Sequence, residues 1–247
     1  MEIPESHPRY RSLLLREMVA RGVEAGITGQ IGLIAHGRGE TFDYLLGERT
    51  IPSARQAEAV GVAALLLADH PVISVNGNTA ALVADDVITL SDTLGAGIEV
   101  NIFYHSEERR EQIIRYLEKR GATELYVMSD AQIPGLTHNR GIVDSHGIYA
   151  ADTVLVPLED GDRCSALKKM GKTVVAIDLN PLSRTARTAD VTIVDNIVRA
   201  VPNMISIVDE LGDMTELELQ RMVEDYDNRR ALRDAVEEIA AYLQESF

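Results

Sequence analysis

Short, unbroken apolar runs alternate along this chain with longer segments whose apolar residues recur every three or four positions. PVISV at 71–75, IEVNIFY at 98–104, ELYVM at 124–128, DTVLV at 152–156, TVVAID at 173–178 and VTIV at 191–194 have the length and β-branched content of buried strands. Between them, 53–69, 76–86, 106–121, 159–171 and a stretch from about Asn196 to Leu211 carry helical periodicity, with Pro202 expected to kink the last or start it anew. Near the N-terminus Ser6 is a helix cap, with Pro8 in a first turn that runs on to about Gly22. The following GLIAHGRGETFDYLLGE reads as a stretch interrupted by Gly32, Gly37, Gly39 and Gly47. Residues 129–148 are the least regular part.

Strands alternating with helices predict a Rossmann-like, doubly wound α/β fold, a mostly parallel sheet with helices on both faces. The last segment differs. Residues 213–247 read as two helices, the first opened by a capping box of Thr215 and Glu218. In the second, Leu232, Val236, Ile239 and Leu243 share a face that suits either packing on the sheet or a dimer contact. The expected organisation is one α/β nucleotide-binding catalytic domain over 1–212 and a helical tail over 213–247.

Charge narrows the classes of function. The net charge is −15, which argues against nucleic-acid binding, where affinity comes from neutralising phosphates. Four lysines stand against twenty arginines (24 basic residues in all), a balance that fits either composition bias or arginines gripping planar anions. The lone Cys164 excludes an intrachain disulfide and fits a reducing cytoplasm, and no apolar run is long enough for a membrane span.

Candidate chemistry lies where strands end. In open α/β sheets ligands sit beyond the carboxyl ends of the strands. TVVAID passes there into DLNPLSRTA, which offers Asp178 and Asn180 to a nucleoside and Ser183, Arg184 and Thr185 to a phosphate. VDN at 194–196 repeats the pattern. NGNTAAL at 76–82 places Asn76 and Asn78 after a strand, although Asn-Gly is also an ordinary turn and Thr79 a possible cap. AHGRGE at 35–40 sets His36 and Arg38 between glycines that allow a ligand to approach closely.

Two apparent motifs fail. ALKKMGKT at 166–173 resembles a phosphate loop, but a helix ends at Gly171 and a strand begins at Thr173, the reverse of the required order. The only glycine fingerprint near Gly37 has Phe42 in its last position, which weakens nicotinamide and flavin readings. The histidines (7, 36, 70, 105, 138 and 146) show no metal spacing, so metal ligands stay unknown. EDGDR at 159–163 suits either a magnesium ion or an acidic helix start.

Five strings, IPESHPRYRSLLLRE, GLIAHGRGETFDYLLGE, HPVISVNGNTAAL, VLVPLEDGDR and VVAIDLNPLSRTARTADVTIVDN, occur in this order and together resemble the archaeal phosphopantothenate synthetases. The resemblance runs from about Ile3 to the helix after Asn196 and is weakest in the tail. It implies a homodimeric, Rossmann-like, cytoplasmic ligase of coenzyme A biosynthesis. Such an enzyme joins 4-phosphopantoate to β-alanine with ATP and Mg2+, releasing AMP and diphosphate through an acyl-adenylate. It further implies ATP contacts at Arg16, Arg38, Asp178, Leu179, Asn180, Arg184, Thr185, Asn196 and Ile197, with Arg38 and Arg184 on the triphosphate. For phosphopantoate, chemical type and strand-end position point to His36, Asn76, Asn78 and Arg140. A non-catalytic nucleotide-binding protein and a kinase acting on pantoate are the competing readings.

Overall fold

The computed structural model describes residues 4–102, 106–137 and 139–246. Its centre is a six-stranded, wholly parallel sheet in the order β3-β2-β1-β6-β7-β8. The strands are β1 Pro71–Val75, β2 Gly97–Val100, β3 Leu125–Tyr126, β6 Thr153–Pro157, β7 Thr173–Ile177 and β8 Val191–Ile193. The chain enters in the middle at β1, steps outward to β2 and β3, then returns to β6 and continues outward on the other side. β1 and β6 are therefore the topological switch point, where such sheets open a crevice.

Register explains the core. Ile98, Ile73, Leu155, Val175 and Val191 stand side by side across five strands and face one apolar cluster. That cluster takes in α3 Pro52–Leu66, α4 Gly77–Leu94, α5 Glu107–Glu118 and α8 Ile197–Leu211. Their neighbours Val72, Val154 and Val174 form the opposite row, covered by Cys164 and Leu167 of α6 Gly161–Lys169 and by Ile133 and Ile148. Both faces of the strands are thus apolar, as unbroken runs require. A Cβ on Gly61 would stand 2.9 Å from Val175 Cγ1, so glycine lets α3 lie close on the sheet.

Several sequence expectations change. Ser6 caps nothing: α1 spans Tyr10–Glu24, begins after Arg9 and has no side-chain cap. The glycine-interrupted stretch is a continuous helix, α2 Gln30–Leu45. Each interior glycine costs a helix about 1 kcal/mol, and here close packing at Gly32 accompanies the choice: its Cβ would meet Asn78 Oδ1 at 2.4 Å. Pro202 leaves α8 unbroken, whereas α4 is kinked at Val83 (φ −143°, ψ 32°). The irregular region contains an antiparallel pair, β4 Ala131–Gln132 with β5 Ile142–Val143. The last positions of the expected strand 98–104 lie outside the described residues, as do His105 and His138.

The tail forms α9 Glu216–Glu224, with its capping box, and α10 Asn228–Glu245. Between β7 and β8 lies a short α7, Arg184–Thr188. In α10, Leu232, Ala235 and Ile239 pack with Ile51, Leu179 and Val194, so this face meets the edge of the sheet, while Val236 and Leu243 stay exposed. No helix among the described residues is long and apolar enough to cross a membrane.

Candidate active site

A cleft of about 810 Å³ opens over the carboxyl ends of the strands, roofed by α2 and floored by the first turns of α4, α6 and α8. This size suits a cofactor-sized ligand. Twelve of the thirteen sequence-predicted site residues border it; Arg16 does not. Arg16 instead grips Glu40, its Nη2 2.7 Å from Oε2, and Glu40 is the residue of that pair on the cleft.

At the tip of β7 the loop is organised by Asp178. One of its oxygens accepts the backbone N–H of Asn180 at 2.9 Å and the other the Ser183 hydroxyl at 2.5 Å. Burial pushes its pKa up, opposed by Ser183, by the Asn180 N–H and by the nearby charge of Arg38. Ser183 also caps α7. Asn180 Oδ1 accepts the N–H of Leu182 at 2.9 Å, leaving its amide group for other partners. Arg184 reaches outward to Asp162 at 2.7 Å, both side chains exposed. The buried Thr185 donates its hydroxyl to the Glu159 carbonyl at 2.8 Å, joining α7 to the turn before α6.

The second acidic tip behaves differently. Of the two strand tips DLN and VDN, Asp178, Leu179, Asn180 and Asn196 border the cleft, whereas Asp195 is 1% exposed and points into the protein. There it binds Thr50 at 2.6 Å and Arg199 at 2.5 Å. Arg199 also pairs with Asp43 of α2 at 2.5 Å, and Asn196 Nδ2 donates to Asp43 at 2.7 Å. This cluster fixes α2 to the end of β8. Only Asn196 and Ile197 of that segment border the cleft.

On the β1 side Asn76, not Thr79, caps α4, its Oδ1 accepting from Thr79 N at 3.1 Å and Thr79 Oγ1 at 3.2 Å. Its Nδ2 donates to the carbonyls of Pro157 and Leu158. With two donors and two acceptor sites engaged, Asn76 is a latch across the switch point. Asn78 donates to the Gly32 carbonyl at 2.9 Å. His36 is half-buried, and its Nε2 is closed off without a hydrogen-bond partner among the described residues. Burial pulls its pKa below the usual histidine value, with Arg16 acting in the same sense and Glu40 and Asp43 against it.

Arg140 enters the cleft from a 3-10 turn already paired with Glu159 and with Asp160, the latter at 2.5 Å. Burial lowers its pKa to about 10. Glu159 also holds the fully buried Arg163, which donates to Ser74 Oγ at 3.0 Å. Asp160 caps α6. Among the described residues no group of three His, Cys, Asp or Glu side chains is arranged to hold a metal.

Sequence reasoning missed Arg109 on this cleft, whereas Glu159 and Asp160, singled out in EDGDR, both border it. Arg109 hides in a charged helix start, and nothing in its spacing separates it from a solvated face. The rejected phosphate loop stays rejected: Gly171 has φ +82° after the end of α6, and Lys172 donates to the carbonyls of Tyr149 and Ala151. Cys164 is buried with its thiol pushed up to about 12, an unreactive group.

Residues 53–242 match the family described as phosphopantothenate/pantothenate synthetase. The chain is 54% identical over 243 residues to the 4-phosphopantoate--beta-alanine ligase of Methanosarcina mazei, covering 98% of this chain and 96% of that one. It is 54% identical over 239 residues to the protein of the same name from Thermococcus kodakarensis, covering 96% and 91%. Against that from Methanospirillum hungatei the identity is 48% over 237 residues, covering 96% of each chain.

Proposed function

The chain belongs to the phosphopantothenate/pantothenate synthetase family, and on that premise we propose that it is a ligase joining 4-phosphopantoate to β-alanine with ATP. The single observation that carries the reading onto this chain is the make-up of the cleft. Cationic side chains enter it from both sides of the β1/β6 switch point: Arg38 and Arg184 toward β7, Arg109 and Arg140 toward β2. Such a site suits a reaction between two anions.

In this reading Asp178, Leu179 and Asn180 hold the nucleoside, with Thr185, Asn196 and Ile197 shaping that end. Arg38 and Arg184 lie along the triphosphate, while Arg16 neutralises Glu40 on the cleft wall. The pantoate carboxylate attacks the α-phosphate, diphosphate leaves, and an acyl-adenylate remains. The β-alanine amine then attacks the acyl carbon and AMP departs, so one amide bond replaces one phosphoanhydride. Fixed arginines stabilise the charge that grows on diphosphate without reorganising.

The β-alanine nitrogen is an ammonium in water and must lose a proton before it attacks. His36 suits that step, because burial favours its neutral form. Asn78 and Arg140 border the same region and contact the pantoate half, while Asn76 frames it. Mg2+ would accompany the nucleotide and supply charge neutralisation; such ions take one or two carboxylates plus phosphates, and Asp160 is one of the cleft carboxylates that would hold it. The enzyme works in the cytoplasm as a homodimer, for which α2 offers exposed Ile31, Leu33 and Ile34.

The test is direct. Incubation with ATP, Mg2+, 4-phosphopantoate and β-alanine is expected to release AMP only when both acceptor substrates are present. ADP would mark a kinase, and ATP binding without AMP a non-catalytic protein.

A further inference from the structure

A line of alternating charges runs from the core to the cleft beneath the β1/β6 switch point. Glu99 of β2 is buried, and its charge acts on Arg163 of α6, which is fully buried and does not reach the cleft. Arg163 Nη1 donates to Ser74 Oγ of β1 at 3.0 Å and to Glu159 Oε2. Glu159 Oε1 in turn accepts from Arg140 Nη1 and from the N–H of Asp160 at 2.9 Å. Glu159 and Arg140 border the cleft. Both oxygens of Glu159 are thus turned onto arginines, which takes this carboxylate out of the set that a magnesium ion would use.

An arginine side chain has many rotamers, and freezing it costs entropy unless neighbours hold it. Arg140 is held at both ends. Asn101 Nδ2 donates to its carbonyl at 3.3 Å and to that of Ile142 at 3.2 Å, and Glu159 grips its guanidinium. Arg163 fixes Glu159 for that grip. Its Nε and Nη2 have no hydrogen-bond partner among the described residues, so a single charged nitrogen makes the contacts. A buried ion pair is weak evidence for stability, since apolar residues of like volume often serve as well. A chain of such pairs that ends on a cleft arginine suits positioning instead.

We propose that Arg163 is a positioning residue: through Glu159 it holds the Arg140 guanidinium in the orientation that 4-phosphopantoate meets. The assignment rests on the ligase reading above. A donor fixed before the substrate arrives need not reorganise as charge shifts in the reaction. With Arg163 gone, Glu159 Oε2 loses its partner and the carboxylate turns. Arg140 is then drawn toward Asp160, which it already meets at 2.5 Å. The nucleotide wall is spared. Thr185 reaches this turn through the Glu159 carbonyl at 2.8 Å, a backbone contact that side-chain changes leave in place.

Steady-state AMP release tests this, with the wild type as the control on the ligase reading. In Arg163→Met the KM for 4-phosphopantoate is expected to rise by about 10–100-fold, the range for losing a charge-assisted contact, while that for ATP stays within about threefold. Partial unfolding would instead lower the apparent kcat and leave both KM values where they were. Arg163→Lys keeps one charged nitrogen and is expected to hold the KM for 4-phosphopantoate within about fivefold of the wild type. In an Arg140→Met background, adding Arg163→Met is expected to change that KM by less than about threefold, because its route of action is gone. Should Arg163→Met fail to fold, the paired variant Arg163→Met with Glu159→Gln removes both charges and is expected to show the same selective rise. Unchanged KM values, an equal rise for both substrates, a lysine variant as impaired as the methionine one, or full additivity with Arg140→Met each overturns the role of Arg163. A wild type that releases no AMP overturns the ligase reading, and the proposal with it.

Discussion

The side-chain amide of Asn76 donates to the Pro157 carbonyl across 2.9 Å, so the tips of β1 and β6 are latched together beneath the cleft. The same residue caps α4 through Thr79. Asn76→Ala removes a cap and leaves two carbonyls without their donor. We predict a loss of about 1–3 kcal/mol of stability, read as a lower midpoint in chemical denaturation. A midpoint equal to that of the wild type would show that the latch contributes nothing.

Arg184 separates binding from stability. Its pair with Asp162 is exposed on both sides, and such pairs add little to folding. Arg184→Ala is expected to melt close to the wild type while AMP formation falls by about 10²–10³-fold, the usual cost of removing one charge-stabilising donor. Undiminished AMP formation would take Arg184 off the triphosphate.

His36 sets an acid limb for the rate. Its pKa lies below the ordinary value because burial disfavours the imidazolium, so activity is lost on acidification only below the usual histidine range. His36→Gln should remove that limb and lower kcat by about 10²-fold. A pH profile of unchanged shape in the variant would place the proton acceptor elsewhere.

Glu58 contributes a stability effect of opposite sign to the usual surface carboxylate. It is fully buried beside Asn203 and Arg55, and burial raises its pKa to about 7. Between about 4.5 and 7 the folded state holds a proton that the unfolded state has lost, so this group makes stability fall as pH rises through that window. Below it both states are protonated and the effect vanishes. Glu58→Gln is expected to be the more stable protein at pH 8, by up to about 3 kcal/mol, and to show a flatter dependence in denaturation at pH 5 and 8. A variant less stable at pH 8 would contradict this.

The strands β1, β6 and β7 were legible because both faces of each are apolar, which leaves a continuous run in the sequence. α2 was not, since its glycines argue against a helix and only the contacts of Gly32 with Asn78 and of Gly39 with Leu179 reveal their use. Asp178 and Asp195 look alike as strand tips. One borders the cleft and the other is taken inward by Arg199, four residues on in α8, and by Thr50, 145 positions away. Arg16 meets Glu40 across 24 positions, beyond the reach of any local pattern. For the site, residue types at strand ends gave the general location, while Arg109 could be seen only once α5 lay against Gly29.

The central step is attack by the pantoate carboxylate at the α-phosphate of ATP. Its most direct measurement uses 4-phosphopantoate labelled with 18O in the carboxylate, with mass analysis of the nucleotide after one turnover. One 18O atom is expected in the phosphate of AMP and none in diphosphate. Unlabelled AMP, or ADP with the label in inorganic phosphate, would contradict it.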